Sequence, residues 1–163
     1  MTNNSAKDRG MAIINRRMVS HRELIDKLVQ KGELREDAEQ VADWMVEIGL
    51  INDVDYAAEI VRHYSARGYG RRRVEQELHR RGIAREHWTD ALGELPRESD
   101  DAIDQFIQSK LRDAGLSDRR EEKRVADALA RRGYDWDEIN AGIRRYKASL
   151  ALDEAIGEDG YEI

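Results

Sequence analysis

The sequence predicts an all-α fold, an elongated, curved array of three tandem three-helix repeats. Three observations carry that prediction. The first is internal repetition. Leu24, Leu28 and Gly32, then Val74, Leu78 and Gly82, then Val125, Leu129 and Gly133 each set apolar residues eight and four positions before a glycine, and the glycines lie about fifty residues apart. The second is composition. Of 163 residues, 38% are charged and 40% hydrophobic, with one Pro and no Cys. That balance suits thin helical layers whose neighbours support one another better than one large core. The third is punctuation, because a glycine closes each helix where a left-handed C-terminal cap favours it.

Taken in order, residues 1–10 are polar and are expected to be disordered. Met11–Arg17 forms a short helix through Met11, Ala12, Ile13 and Ile14. Ser20 with Glu23 makes a capping box that opens a helix ending at Gly32. The next helix, from about Glu36, carries Ala38, Val41, Ala42, Met45 and Ile48 and stops at Gly49. Asn52 or Asp53 caps a helix with Tyr56, Ala57, Ile60, Val61 and Tyr64 on one face, closed by Gly68. Between Gly70 and Gly82 a short basic helix presents Val74 and Leu78. Ile83 then leads into a helix with Trp88, Leu92 and Leu95. The corresponding offsets give Ala38, Ala42 and Met45 after Gly32, and Ile139, Ile143 and Tyr146 after Gly133. Pro96 separates the second and third repeats. Asp100–Asp113 forms a helix through Ile103, Phe106, Ile107 and Leu111, ended by Gly115, and Ser117 or Asp118 caps the next. Tyr134 and Trp136 open the last helix. The repeats are therefore 11–50, 51–95 and 96–149, followed by an acidic tail at 150–163 that frays beyond Leu152.

The composition also excludes functions. No apolar run is long enough to span a membrane, and the N-terminus lacks the apolar core of a signal peptide. The absence of Cys rules out disulfides and thiolate metal sites and is compatible with a reducing cytoplasm. His21, His63, His79 and His87 show no metal-ligand spacing. There is no phosphate loop, nucleophile elbow or dinucleotide fingerprint, and the carboxylates interleave with Arg and Lys as surface pairs do. No catalytic residue, metal or cofactor is expected.

The net charge of −6 argues against coating nucleic acid indiscriminately, but the charge is uneven. Arg71, Arg72 and Arg73 occupy the first turn of their helix, where the dipole is already positive and each added cation opposes stability by roughly a few tenths of a kcal/mol. A partner rich in phosphate or carboxylate accounts for them. Arg80 and Arg81 lie in the last turn of their helix, as Arg131 and Arg132 do in theirs, and there the dipole favours positive charge and accounts for them. Arg119, Arg120, Lys123 and Arg124 fill the matching region of the third repeat, interrupted by Glu121 and Glu122. Tyr64, Tyr69 and Tyr134 lie near arginines and could stack on bases. Tyr69, beside Arg67 in an inter-helix turn, is the most ambiguous of them, whereas Tyr56, Trp88, Phe106 and Tyr146 fall on core stripes.

Three stretches carry a resemblance: S-H-R-E-L-I-D-K-L-V-Q-K-G (Ser20 to Gly32), I-N-D-V-D-Y-A-A-E-I-V-R-H-Y-S-A-R-G-Y-G-R-R-R-V-E-Q-E-L-H-R-R-G-I (Ile51 to Ile83) and L-A-R-R-G-Y-D-W-D-E-I (Leu129 to Ile139). Over roughly residues 11 to 149 the chain resembles the RecX regulators of the bacterial RecA recombinase. The middle block is the most specific. The chain departs from the family pattern at Arg71, where proline is common, and at Glu33, where an apolar residue is common. The resemblance implies three tandem three-helix units that bind in the groove of the RecA–single-stranded DNA filament and lower ATP hydrolysis and strand exchange. A monomeric, cytoplasmic, noncatalytic regulator is expected, with weak direct DNA binding at most. The rival reading is a stand-alone helical DNA-binding module with Arg71 to Arg81 on a groove-reading helix.

Overall fold

Side-chain caps and glycines set the helix ends. A computed structural model describes residues 3–93, 95, 99–111 and 119–158, and every regular element among them is helical. The elements are α1 (Asn3–Ile14), α2 (His21–Gln30), α3 (Arg35–Glu47), α4 (Asp53–Ala66), α5 (Arg71–Arg80), a 3₁₀ turn (Arg85–His87), α6 (Thr89–Gly93), α7 (Ser99–Leu111), α8 (Arg119–Arg131) and α9 (Trp136–Glu158). The capping box forms as expected. Ser20 Oγ accepts from the Glu23 N–H at 3.0 Å, and the Glu23 carboxylate accepts from the Ser20 N–H at 3.1 Å. Asn52, not Asp53, caps α4, accepting from the N–H groups of Val54 and Asp55 at 3.0 and 3.2 Å. Asp53 instead accepts from the His21 N–H at 2.9 Å, so α4 helps to hold the start of α2. Gly32, Gly49, Gly68, Gly82 and Gly133 all have left-handed backbone, with φ between 69° and 94°, and these are the helix stops read from the sequence.

The chain divides into two compact units, one of Met1–Tyr64 and Val74–Leu95, the other of Ser65–Arg73 and Pro96–Ile163. The first holds two apolar clusters. One joins α1, α2 and α3 around Leu24, Leu28, Val41 and Met45. The other joins α4, α5 and α6 around Ile60, Val74, Leu78 and Trp88. The second unit has one cluster, built by α7, α8 and α9 around Ile103, Ile107, Leu129 and Ile139. Leu28, Leu78 and Leu129 are fully buried, so truncating any of them to Ala costs roughly 2–5 kcal/mol. In the second unit Arg145 grips Asp104 with both Nε and Nη2, at 2.8 to 3.1 Å, and fastens α9 to α7.

Three expectations need correction. Residues 3–10 are helical rather than disordered. Ala6 is buried, and a Cβ built on Gly10 would lie 2.7 Å from Met45 Cε, so two small residues let α1 approach α3 closely. The helix expected after Gly82 is broken into the 3₁₀ turn and the five-residue α6. There the His87 and Trp88 N–H groups bond three residues back, and the Trp88 indole donates to the Ile83 carbonyl at 2.8 Å, which tightens the turn. Finally, α9 does not fray at Leu152 but continues to Glu158, through residues of good helix propensity such as Leu152, Glu154 and Ala155. Pro96, Gly115 and the cap at Ser117 or Asp118 lie outside the described residues.

Glu33, the departure after the first repeat glycine, is buried. Arg9 meets its carboxylate at 2.9 Å, an ion pair whose angle falls short of a hydrogen bond. Arg9 also donates to the Lys31 carbonyl at 2.9 Å, so α1 neutralises the charge that the missing apolar residue left behind.

Candidate functional site

The arginine triplet starts on a turn whose backbone is fastened from outside. Within the second unit, the Gly70 N–H donates to the Arg132 carbonyl at 2.9 Å and the Arg72 N–H to the Gly133 carbonyl at 3.1 Å. The Tyr134 hydroxyl donates to the Gly68 carbonyl at 2.9 Å. Burial pushes that hydroxyl's pKa above its ordinary value of 10.0, so it stays a donor at neutral pH. Arg132 donates to the carbonyls of Arg67 and Gly68 at 3.3 Å, and its guanidinium lies 5.7 Å from the Tyr69 ring centroid and 4.8 Å from that of Phe106. A Cβ on Gly70 would lie 2.5 Å from the Gly133 carbonyl, so the two turns touch backbone to backbone.

On this frame Arg67, Arg71, Arg72 and Arg73 are exposed. Among the described residues no carboxylate pairs with the guanidinium of Arg72 or Arg73. The structure thus brings Arg67, Tyr69 and the triplet together on one braced turn. Tyr69 is half-buried with a cation already over its ring, and Tyr134 is buried, so Tyr134 is not available for stacking.

Arg80 and Arg81 do not join them. Both grip Glu77, Arg80 at 2.6 and 3.0 Å and Arg81 at 2.8 Å. Arg81 also donates to the Tyr56 hydroxyl at 2.7 Å, and the Ser20 hydroxyl donates to its carbonyl. The hydrogen bond from Arg80 does most to hold the Glu77 carboxyl down at about 2; burial opposes it and Arg81 adds to it. These two arginines are bound up in the first unit's internal network.

Arg119, Arg120, Lys123 and Arg124 are exposed on the first turns of α8. Arg124 pairs with Glu121 at 2.7 Å. The turn that meets Gly70 and Arg72 follows the other end of α8, about 20 Å away along the helix axis. The two cationic groups are therefore separate patches of the second unit.

Sequence reasoning missed Arg132, which it treated as a charge favoured by the helix dipole. A signal for it existed. The residue just before the repeat glycine is Arg81 in the second repeat and Arg132 in the third, and each reaches back to brace an earlier segment.

Comparison with known proteins settles the family. The RecX second three-helix domain matches residues 52–92, and the RecX third three-helix domain matches residues 98–143. The chain belongs to the RecX family. It is similar to regulatory protein RecX of Vibrio parahaemolyticus, 28% identical over 85% of this chain and 90% of that one. It is also similar to regulatory protein RecX of Xanthomonas axonopodis pv. citri, 29% identical over 83% and 84%. The fold matches the crystal structure of RecX from Lactobacillus salivarius with a TM-score of 0.80 at 17% identity, covering 90% of this chain and 97% of that one. A second RecX crystal structure matches with a TM-score of 0.75 at 22% identity, covering 85% and 70%. The braced turn and its triplet fall inside the second RecX domain, and the α8 cations fall inside the third.

Proposed function

We propose that this chain is a noncatalytic regulator that binds RecA filaments on single-stranded DNA and lowers their ATP hydrolysis and strand exchange. In this reading it acts as a cytoplasmic monomer in the control of recombinational repair and the SOS response. Membership of the RecX family supports the reading. The observation that carries it is the pair Arg72 and Arg73, exposed and without carboxylate partners among the described residues, on a backbone that is fixed in place. Cations held this way cost stability in the free protein and are recovered against phosphate or carboxylate. Contact with several subunits of a polymer would supply affinity without a deep pocket.

The test is RecA's single-stranded-DNA-dependent ATPase titrated with the protein, beside its binding to the same DNA alone. Inhibition well below the RecA concentration with weak binding to bare DNA is expected. Tight, salt-sensitive binding to DNA without inhibition would instead make the chain a stand-alone DNA-binding module. Changing Arg71, Arg72 and Arg73 together to Ala should weaken inhibition roughly tenfold or more, the loss of at least one charge-assisted contact, with helicity unchanged.

A further inference from the structure

We propose that the groove where α2, α3 and α4 meet in the first unit is a protein-docking site, and that its occupant is an aliphatic side chain flanked by lysine or arginine. The groove is a cavity of about 800 Å³. Its apolar wall comes from the end of α3 and the start of α4. Val46 and Val54 line it at 45% and 46% exposure, and Ile48 and Leu50, close to them in the sequence, are 50% and 45% exposed. Four half-exposed aliphatics fall within nine positions of a chain this rich in charge, and two of them, Val46 and Val54, line the groove.

The groove is preformed. Asn52 caps α4, Asp53 holds the His21 N–H, and the Arg22 side chain packs over Gly82, where a Cβ would meet it at 2.7 Å. Its charge identifies the occupant. Helix α3 carries five carboxylates against one arginine. Asp43 and Glu47, one turn apart beside Val46, face the groove; Asp43 is 2.7 Å from His21 Nε2, and Glu47 has no ion-pair partner among the described residues. Arg22 and His87, which also line the groove, do not outweigh them, so phosphate is repelled along α3 and a cationic flank is attracted. The inference rests on the proposed function in one respect, that the segment belongs to the protein component of the filament.

Two arms test it with the full chain. In the first, methyl resonances of Val46 and Val54 are followed while a short synthetic leucine–lysine helix is added. They should shift, and a leucine–glutamate helix should leave them in place. Unmoved methyls, or equal shifts with both peptides, would overturn the site. In the second, affinity is measured for RecA filaments and for the bare strand. The Val46→Asp/Val54→Asp double variant, altered only at exposed positions, should bind filaments at least tenfold more weakly and bare DNA unchanged. An undiminished filament affinity would overturn the assignment of this groove to the filament. If the parent chain itself binds no filament while the methyls respond, the proposed function falls and the docking site stands. Concentration-dependent self-association abolished by the double variant would make the groove a contact between copies and overturn the proposal.

Discussion

Glu77 links two arginines to the interior of the first unit, and its ionisation makes that link depend on pH. Its carboxyl is depressed from 4.5 to about 2, chiefly by the hydrogen bond from Arg80. A group whose folded pKa lies below its unfolded one contributes stability that is complete above about 4.5 and lost as pH falls toward 2. Glu77→Gln should therefore cost about 2 kcal/mol at neutral pH, allowing for solvent screening of the exposed Arg80, and should flatten acid unfolding in that window. Urea melts across the acid range of both proteins read this directly. A second contrast concerns glycines. Gly32 and Gly133 have nearly equal φ, 93° and 94°, but a Cβ on Gly32 meets nothing within 4 Å, whereas one on Gly133 runs into the Arg73 backbone. Gly32→Ala should cost about 1–2 kcal/mol, the left-handed penalty alone. Gly133→Ala should cost clearly more and, on the proposed function, also weaken filament inhibition, because it displaces the start of α5. Equal losses from the two variants would show that the touching turns carry no weight.

At the scale of helices, legibility followed locality. The Ser20 box and the five glycine stops could be read because each depends on residues a few positions apart. The first turns of α1 could not, because Ala6 and Gly10 count as polar filler until α3 is seen against them. The break between the 3₁₀ turn and α6 depends on the Trp88 indole reaching the Ile83 carbonyl, which a helical spacing does not encode. The candidate site divided the same way. Arg71 to Arg73 were legible because three cations oppose their own helix dipole, while the pairing of Arg80 and Arg81 required knowing that Glu77 is buried. The α1–α3 contact gives a test. Gly10→Ala should be tolerated, since Met45 Cε is the flexible end of its side chain. Gly10→Leu should lower stability by about 1–3 kcal/mol through overpacking, seen as a lower melting temperature with loss of α1 helicity.

For the whole molecule, charge and connectivity matter most. Residues 150–163 contain five carboxylates and no Lys or Arg, so removing them takes the formal net charge from −6 to −1. Toward its C-terminal end α9 is exposed, with Leu152 at 63% and Ile156 at 65%. Deletion of 150–163 should therefore leave the melting temperature nearly unchanged and tighten binding to bare single-stranded DNA at low salt, an effect that fades as salt rises. Fluorescence anisotropy at two salt concentrations checks it. Connectivity sets a timetable as well. The partners that fix the α4–α5 turn arrive late, since Gly68 waits for Tyr134, 66 residues further on. At typical rates of synthesis that interval lasts ~3–13 s. On the ribosome the first unit's opening helices can fold at once, while the arginine triplet emerges on an unfastened turn and gains its fixed presentation only after residue 134 has left the exit tunnel. The fixed presentation of the triplet is thus delayed by the hydrogen bonding itself, without a chaperone to impose the delay.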